Sequence, residues 1–213
     1  MLYYSPLTGD PISHSIKSQP KHCFLITQLS KNRPSIIDKI HSSINKCCGI
    51  LDYKTIDASS ATTGKDFLLK IWDMIISVPV CIVIIHEDTP MQTQANLYYE
   101  LGIAQALGKE TIVIKTPEVT MPSDLARTEY IEFDIEFDKK FTDFLENIIE
   151  RAEYFEEIAK NTENNPLLAI DYLKRAYLIT GKKKYKNKVQ SILKLEKFEG
   201  RAKNSIELLA TKL

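Results

Sequence analysis

The sequence predicts an α/β protein, with a five-stranded, parallel, flavodoxin-like sheet followed by a helical C-terminal extension. Strand-like and helix-like segments alternate about five times between residues 22 and 134, the pattern of a parallel sheet with right-handed crossovers. The run Val80 to Ile85 (VCIVII) is uninterrupted and rich in β-branched residues, which is typical of a central strand buried on both faces. From Asp138 onward the strand pattern disappears and helical spacing replaces it.

Composition and charge exclude several classes of function. The 213 residues are 44% hydrophobic and 26% charged with a formal net charge of zero, a globular profile without general attraction to nucleic acid or anionic membranes. The longest apolar run is too short to span a bilayer, and Met1 to Pro11 lacks the features of a signal peptide. The four cysteines form no CxxC motif and the four histidines show no ligand spacing. We therefore expect a cytoplasmic protein without a structural metal.

Three regions are expected along the chain. Residues 1–21 are rich in Pro, Ser, Gly and Tyr and form an N-terminal arm. Residues 22–136 form the α/β domain, and residues 137–213 form the helical extension.

The elements of the α/β domain follow from local patterning. The expected strands are 23–29, 50–56, 80–85, 111–115 and 128–133. Apolar residues at helical spacing mark the first two helices, the second opening near Thr63: Ile36, Ile37, Ile40 and Ile44, then Phe67, Leu68, Ile71, Trp72, Ile75 and Ile76. In such sheets, ligands bind beyond the carboxyl ends of the strands, where the strand order reverses.

The extension is predicted to contain three helices, at about 141–159, at 167–180 with Gly181 as its stop, and at about 187–209. Residues 151–213 hold 14 Lys or Arg against 8 Asp or Glu, so this part carries +6 and the remainder −6. The basic run 182–188 (KKKYKNK) is compatible with a nucleic acid or acidic partner. A solvated helix start or loop is favoured, because one tyrosine and no repeating pattern give little recognition.

The segment 94–109 (QANLYYELGIAQALGK) is predicted to be one helix with a defined end. Its apolar face consists of Leu97, Leu101, Ala104 and Leu107. Gly108 and Lys109 form the expected C-terminal stop. Gly102 lies inside the helix, where glycine costs about 1 kcal/mol relative to alanine. Together with Ala104 and Ala106, it leads us to expect an unusually close approach of this helix to the sheet.

Glu100 lies at the edge of that apolar face, and the residue pattern leaves two interpretations open. A glutamate near a helix N-terminus is tolerated on a surface because the helix dipole favours anions there. However, the helix follows the most buried strand, so its start borders the expected ligand crevice. Asn96, one turn earlier, is placed to bind a sugar hydroxyl or to orient the carboxylate.

Four segments together resemble the TIR-like and nucleoside 2-deoxyribosyltransferase-like superfamily. They are CFLIT at 23–27, VCIVII at 80–85, QANLYYELGIAQALGK at 94–109 and TIVIK at 111–115. Members carry a helix of the form N-x-F/Y-Y-E-L-G-x-A-x-A-L-G-K between two strands. The resemblance covers residues 22–134 and includes the closing segment from Pro122 to Ile131.

The resemblance implies cleavage of an N-glycosidic bond with Glu100 as the catalytic carboxylate. A carboxylate facing C1′ stabilises an oxocarbenium-like sugar or captures it covalently. The expected reaction is cleavage of NAD+ to nicotinamide and ADP-ribose, with NAD+ as substrate and no cofactor. The expected substrate-binding residues are Gln28, Ser30, Asp88, Asn96 and Tyr99. Many relatives are antiviral or stress effectors activated by assembly, so a homo-oligomer or a protein partner bound through the extension is also expected.

Two alternatives remain at this stage. A nucleoside 2-deoxyribosyltransferase or deoxynucleotide N-hydrolase expels a base that benefits from protonation by a second acid, and Glu87 and Asp88 lie in a suitable loop. In the family loop Asp directly follows the strand, whereas His86 occupies that position here, so solvated loop acids explain Glu87 and Asp88 equally well. The alternative from another class is a non-catalytic nucleotide-sensing or scaffold module.

Overall fold

The computed structural model describes residues 9–10, 12, 14, 16–29, 34–60, 67–125, 129–162 and 164–195. The chain divides into two compact units, one comprising residues 22–147 and the other combining 1–21 with 148–213. The first unit contains the sheet, and the second contains the described part of the N-terminal arm and the C-terminal helices.

The first unit is built on a five-stranded sheet in which every pairing is parallel. Its strands are β1 His22–Ile26, β2 Lys54–Asp57, β3 Val80–Ile85, β4 Glu110–Lys115 and β5 Tyr130–Glu132. The spatial order is β2-β1-β3-β4-β5, which confirms the predicted flavodoxin-like α/β fold. The strand order reverses between β1 and β3, so a ligand crevice is expected at their carboxyl ends.

Four helices accompany the strands: α1 Ser35–Ile50, α2 Phe67–Ser77, α3 Met91–Ala106 and α4 Phe137–Asn161. One face of the sheet, including Phe24 and Val83, packs in a single apolar cluster with α2 and α3. The alternation of side chains along a strand turns Cys23 to the opposite face. There its thiol lies 4.0 Å from that of Cys48 in α1. The sheet is therefore covered on both faces, as the wholly buried β3 requires.

The start of the second strand differs from the sequence prediction. The second strand starts at Lys54, because α1 continues through Ile50, which is 66% exposed, and a turn with positive φ at Asp52 follows. The isoleucine at position 50 thus belongs to a helix end and does not begin the strand. The predicted opening of the second helix at Thr63 lies outside the described residues.

Helix α3 has the predicted apolar face, with Leu97, Leu101 and Ala104 buried, and Gly108 follows its end at φ +67. The predicted close approach at Gly102 is wrong: a Cβ added there meets no atom within 4 Å, and the residue is exposed. At 100° per residue, positions 102 and 106 lie opposite the buried stripe. Only Ala104 of the three small residues lies against the sheet.

Lys109 has a partner that the sequence did not predict. Its ammonium group donates to the carbonyls of Ile76 (2.7 Å) and Val78 (2.8 Å), at the end of α2. The lysine therefore satisfies carbonyl groups of the neighbouring helix end.

In the second unit, the last part of α4 is followed by α5 Pro166–Thr180 and α6 Lys183–Leu195. Asn165 accepts a hydrogen bond from the Leu168 N–H (3.2 Å) at the start of α5, and Gly181 ends it at φ +68, as predicted. Helix α6 begins earlier than predicted, so the basic run lies within it from Lys183 onward. The predicted end near residue 209 lies outside the described residues.

The described part of the N-terminal arm belongs to this helical unit. The Lys21 N–H donates to the Leu178 carbonyl (2.8 Å), and the side chains of Ile12 and Ile16 are buried. The described part of the chain contains no helix that is both long enough and apolar enough to span a membrane.

Candidate functional site

A cavity of about 250 Å³ lies at the carboxyl end of β1 within the first unit. The end of β1 and the loop after it, the start of α2 and one flank of α3 form its walls. The residues lining it are Phe24, Leu25, Ile26, Thr27, Gln28, Leu29, Ala58, Phe67, Ile71, Thr93, Asn96, Leu97 and Glu100. The cavity thus occupies the crevice that the strand order predicts.

The flank of α3 carries three polar residues into this cavity. Thr93, Asn96 and Glu100 follow one another at spacings of three and four residues and lie beside the buried Leu97. The same helical period that buries Leu97 and Leu101 against the sheet therefore places Glu100 at the margin of the core.

Burial dominates the electrostatics of Glu100. It raises the pKa of this carboxyl from the usual 4.5 to about 7, because the charged form loses water. Glu100 forms no hydrogen bond or ion pair with any residue that the structure describes, so nothing there offsets the lost hydration. A carboxyl group of this kind changes its charge near neutral pH, as catalytic carboxyls do.

The other walls are largely apolar and contain no further charge. Phe67, Ile71 and Leu97 contribute side-chain carbon, while Gln28 and Asn96 contribute amide groups. Among the described lining residues, Glu100 is the one ionisable side chain. Thr27 also lines the cavity, but its Oγ1 is enclosed and has no hydrogen-bond partner among the described residues.

Gln28 is linked to the loop after β3 through His86. His86 is 1% exposed, and its Nε2 lies 3.4 Å from Oε1 of Gln28. Its Nδ1 accepts a hydrogen bond from the Asp88 N–H at 3.1 Å. Its backbone N–H donates to Thr89 Oγ1 (3.1 Å), and its carbonyl accepts from the Thr89 N–H (3.0 Å). Residues at the ends of β1 and β3 are therefore held together.

The structure brings together some of the predicted site residues. Gln28 and Asn96 line the cavity with Glu100, whereas Asp88 and Tyr99 do not. Asp88 is exposed and contributes its backbone N–H to the His86 turn, and Tyr99 is 50% exposed on the outer side of α3. Ser30 lies outside the described residues.

Glu87 is engaged elsewhere. Its carboxylate accepts a 2.5 Å hydrogen bond from Thr116 Oγ1, and this bond is the main reason that the pKa of Glu87 is lowered. The side chain is exposed and does not line the cavity. The described residues thus place no second acid beside Glu100.

Sequence reasoning did not select Thr27, Thr93 or His86. Thr93 had a usable signal, because it precedes Glu100 by seven residues, two helical turns on the same flank. His86 directly follows the buried strand, where the resembled family has Asp, but its contact with Gln28 spans 58 residues. No local pattern contains such a contact.

Comparison with known proteins adds no information on this site. No protein-family model matches the sequence, and no curated protein matches it either. The described residues also contain no group of three or more His, Cys, Asp or Glu that is suited to hold a metal ion.

Proposed function

We propose that the first unit is a nucleotide N-glycosidase of the TIR-like class that cleaves NAD+ to nicotinamide and ADP-ribose. One observation carries the proposal: Glu100 is a desolvated carboxyl without a described partner, at the edge of a cavity at the strand-order switch point. An isolated, desolvated carboxylate is suited to stabilise a developing positive charge. In N-glycoside cleavage that charge forms at C1′ of the sugar.

The proposed reaction breaks the bond between C1′ and the ring nitrogen. The electron pair of this bond goes to the nicotinamide ring, which thereby becomes neutral. The Glu100 carboxylate faces C1′ and stabilises the oxocarbenium-like sugar or forms a transient ester with it. Water then adds its oxygen to C1′ and releases a proton, giving ADP-ribose; where the ester has formed, this step breaks its bond to C1′ and returns the electron pair to the Glu100 carboxylate.

The absence of a second acid among the described lining residues favours NAD+ over neutral nucleosides. Nicotinamide is already cationic in the substrate and leaves as a neutral ring, so it needs no proton donor. A purine or pyrimidine leaves as an anion unless an acid protonates it. Glu87 is bonded to Thr116 and Asp88 is exposed, so neither lies in the cavity to supply that proton.

Electrostatic complementarity also favours a cationic substrate. A positive ring beside Glu100 lowers the pKa of the carboxyl and so favours the ionised form that the reaction needs. The apolar walls, including Phe67 and Ile71, keep water away and strengthen this attraction.

The test is release of free base by the purified full-length protein from NAD+ and, separately, from deoxynucleosides and deoxynucleotides. We expect nicotinamide release that falls at least about 100-fold in Glu100→Gln, the scale of losing an electrostatic stabiliser. Glu87→Gln is the matched control, because this exposed carboxylate lies outside the cavity and its loss should leave the rate within about twofold.

Other outcomes identify the alternatives. Base release from deoxynucleosides alone would favour a deoxyribosyltransferase or deoxynucleotide hydrolase. Tight nucleotide binding without release, at high protein concentration as well as low, would favour a sensing or scaffold module. Nicotinamide release that survives Glu100→Gln would refute the mechanism.

The proposal extends to compartment and partners. All four cysteines are free and buried, which agrees with a reducing cytoplasm. We assign the helical second unit to self-association or docking of a protein partner. Light scattering on the full-length protein across a concentration series tests the self-association directly.

A further inference from the structure

We propose that the outer face of α3 is a contact surface for a second copy of this chain. This face consists of five exposed residues: Met91, Ala95, Tyr99, Gly102 and Ala106. At 100° per residue they form a stripe about 80° wide, on the side of the helix away from the sheet. The inference goes beyond the proposed function and does not rest on it, because the cavity lies along another flank of the helix.

The outer face of α3 carries no charge, whereas a helix on a protein surface normally turns charged and polar residues to the solvent. Glu100 is the one charged residue in α3, and it lines the cavity. The other three helices of the first unit each expose a charged side chain: Lys46 in α1, Lys70 in α2 and Lys139 in α4. The outer face of α3 is therefore distinct among the helices of this unit.

Two large apolar side chains project from the outer face. Met91 is 86% exposed, and Tyr99 is 50% exposed. The other three positions hold the small residues Ala95, Gly102 and Ala106. A Cβ added at Gly102 meets no atom of the chain within 4 Å, so no contact within the chain accounts for the glycine. The face thus combines projecting and shallow positions, the shape that allows two helices to interdigitate.

A second copy fits the outer face because the face is complementary to itself. A two-fold axis at Tyr99 pairs two α3 helices in antiparallel directions. Met91 and Ala106 lie at nearly equal distances on either side of Tyr99, so each methionine meets an alanine of the other copy. Ala95 meets Gly102 in the same way, and the two Tyr99 rings meet at the axis. A neutral face also brings no like charge against its copy, whereas a charged partner would lose hydration there without compensation.

The size of the outer face determines how strong this contact is. The 16 residues of α3 span about 24 Å and a helix is about 10 Å wide, so the face offers roughly 240 Å² per copy. A standard stable interface buries about 800 Å² per partner. We therefore expect a reversible dimer with a dissociation constant no tighter than about 10⁻⁵ M. The cavity stays open, because Asn96 and Glu100 lie at least about 60° around the helix from the stripe.

Sedimentation velocity of the full-length protein tests the contact at concentrations from about 10 µM to about 1 mM, the range of the expected dissociation constant. The wild type should shift from monomer toward dimer across this range. Tyr99→Glu places two like charges at the axis and should weaken the dimer at least about tenfold. Tyr154→Glu is the matched control, because Tyr154 is 59% exposed in the second unit, and its replacement should leave the dimer unchanged.

A mixture of two charge variants tests the two-fold axis itself. Tyr99→Lys should associate with itself as weakly as Tyr99→Glu does. An equimolar mixture of the two should dimerise at least about tenfold more tightly than either variant alone at low salt, and the gain should fade as salt is added. This recovery requires position 99 of one copy to lie near position 99 of the other, which an interface in the helical unit does not provide.

Several outcomes would overturn the proposal: a wild type that stays monomeric over the whole range, a dimer that survives Tyr99→Glu, or a mixture that shows no recovery. A dimer lost in Tyr154→Glu would instead assign the contact to the helical unit. Ala95→Glu, which brings an unpaired charge into the same face, keeps the test decisive if thermal unfolding shows that Tyr99→Glu does not fold. None of these measurements uses NAD+, so a failure of the proposed function leaves their result intact.

Discussion

At the scale of one residue, the burial of Glu100 in the candidate site lowers the stability of the fold. The carboxyl is drawn out of water by the apolar walls of the cavity and receives no hydrogen bond from a described residue in return. The same desolvation that penalises its charge in the free protein strengthens its attraction to a cationic substrate. Two predictions follow from a pKa of about 7.

The pH dependence of turnover should report the ionisation of Glu100. Because the proposed mechanism uses the carboxylate as the reactive form, it predicts that kcat/KM for NAD+ rises with pH through about 7 and then levels off. The limb in kcat should lie at lower pH, because the cationic substrate favours the ionised carboxyl in the complex. Initial rates measured at saturating and limiting NAD+ between about pH 5 and about pH 9 check both limbs. A flat kcat/KM profile would show that the ionisation of Glu100 does not control the reaction.

Replacing the carboxyl should stabilise the protein in a pH-dependent way. The pKa of Glu100 is raised on folding, so the folded protein holds this proton more tightly than the unfolded chain does. The protein therefore has its full stability below about pH 4.5 and loses part of it as pH rises through about 7. The difference corresponds to about 3 kcal/mol in the free energy of unfolding. Glu100→Gln should therefore gain up to about that amount relative to wild type between about pH 4 and about pH 8. Urea denaturation at the two pH values measures it, and an equal difference at both would contradict the assigned burial.

At the scale of elements, α3 has two faces with different tasks. Leu101 and Ala104 are fully buried against the sheet, while the flank with Asn96 and Glu100 borders the cavity. Gly102 serves neither task, because it is exposed and its missing Cβ would meet no atom within 4 Å. The helix therefore carries a conformational cost at this position without a packing reason.

Gly102→Ala should raise the free energy of unfolding by about 0.5–1 kcal/mol, since alanine loses less backbone entropy in a helix. Catalytic activity should be retained. The contrasting variant is Ala104→Leu, which adds volume at a fully buried position and should cost about 1–3 kcal/mol. Chemical denaturation of the two variants measures these changes. A loss of stability in Gly102→Ala would instead indicate that this residue packs closely against a neighbour.

The helical unit has an ion-pair network that links α4 to α6. Glu156, whose side chain is 14% exposed, accepts hydrogen bonds from Lys184 (2.6 Å) and Lys188. The bond from Lys184, followed by that from Lys188, lowers the pKa of Glu156 to about 2. The basic run that the sequence singled out is thus partly neutralised within its own unit.

Glu156→Gln should lower the free energy of unfolding near neutral pH by about 1 kcal/mol, after allowance for solvent screening. A lowered pKa contributes stability that is present above about 4.5 and is lost as pH falls toward about 2. The difference from wild type should therefore shrink in acid. Urea titrations near neutral pH and near pH 2 measure it. Glu157→Gln is the control, because Glu157 is exposed and pairs with no described residue.

For the whole molecule, features with local causes were predictable from the sequence. The alternation of segments determines the parallel sheet, and the spacing of Leu97, Leu101 and Ala104 determines the buried face of α3. The helical period also predicts that Gly102 points away from the sheet, although the small residues of the helix suggested a close approach to it. Local patterns cannot predict contacts between residues that are distant in the sequence. Examples are the bond from His86 to Gln28 and the walls from β1 and α2 that desolvate Glu100.

The charge of the whole molecule leads to a last prediction, weak binding to nucleic acid. The formal net charge is zero, and the densest basic segment, 182–188, is partly engaged. Lys184 and Lys188 bind Glu156, and the ammonium of Lys186 lies 4.6 Å from the centre of the buried Tyr177 ring. Among the lysines of this segment, the exposed Lys182 and Lys183 are left for phosphate contacts.

Two free lysines give little counterion release, so the dissociation constant for a labelled DNA duplex should be no tighter than about 10⁻⁴ M at physiological salt. Fluorescence anisotropy at low and at physiological salt measures both the affinity and its salt dependence. The double variant Lys182→Glu, Lys183→Glu should change the affinity only slightly. It should also leave the rate of nicotinamide release unchanged. Tight, strongly salt-dependent binding that this double variant abolishes would instead make α6 a nucleic-acid-binding element.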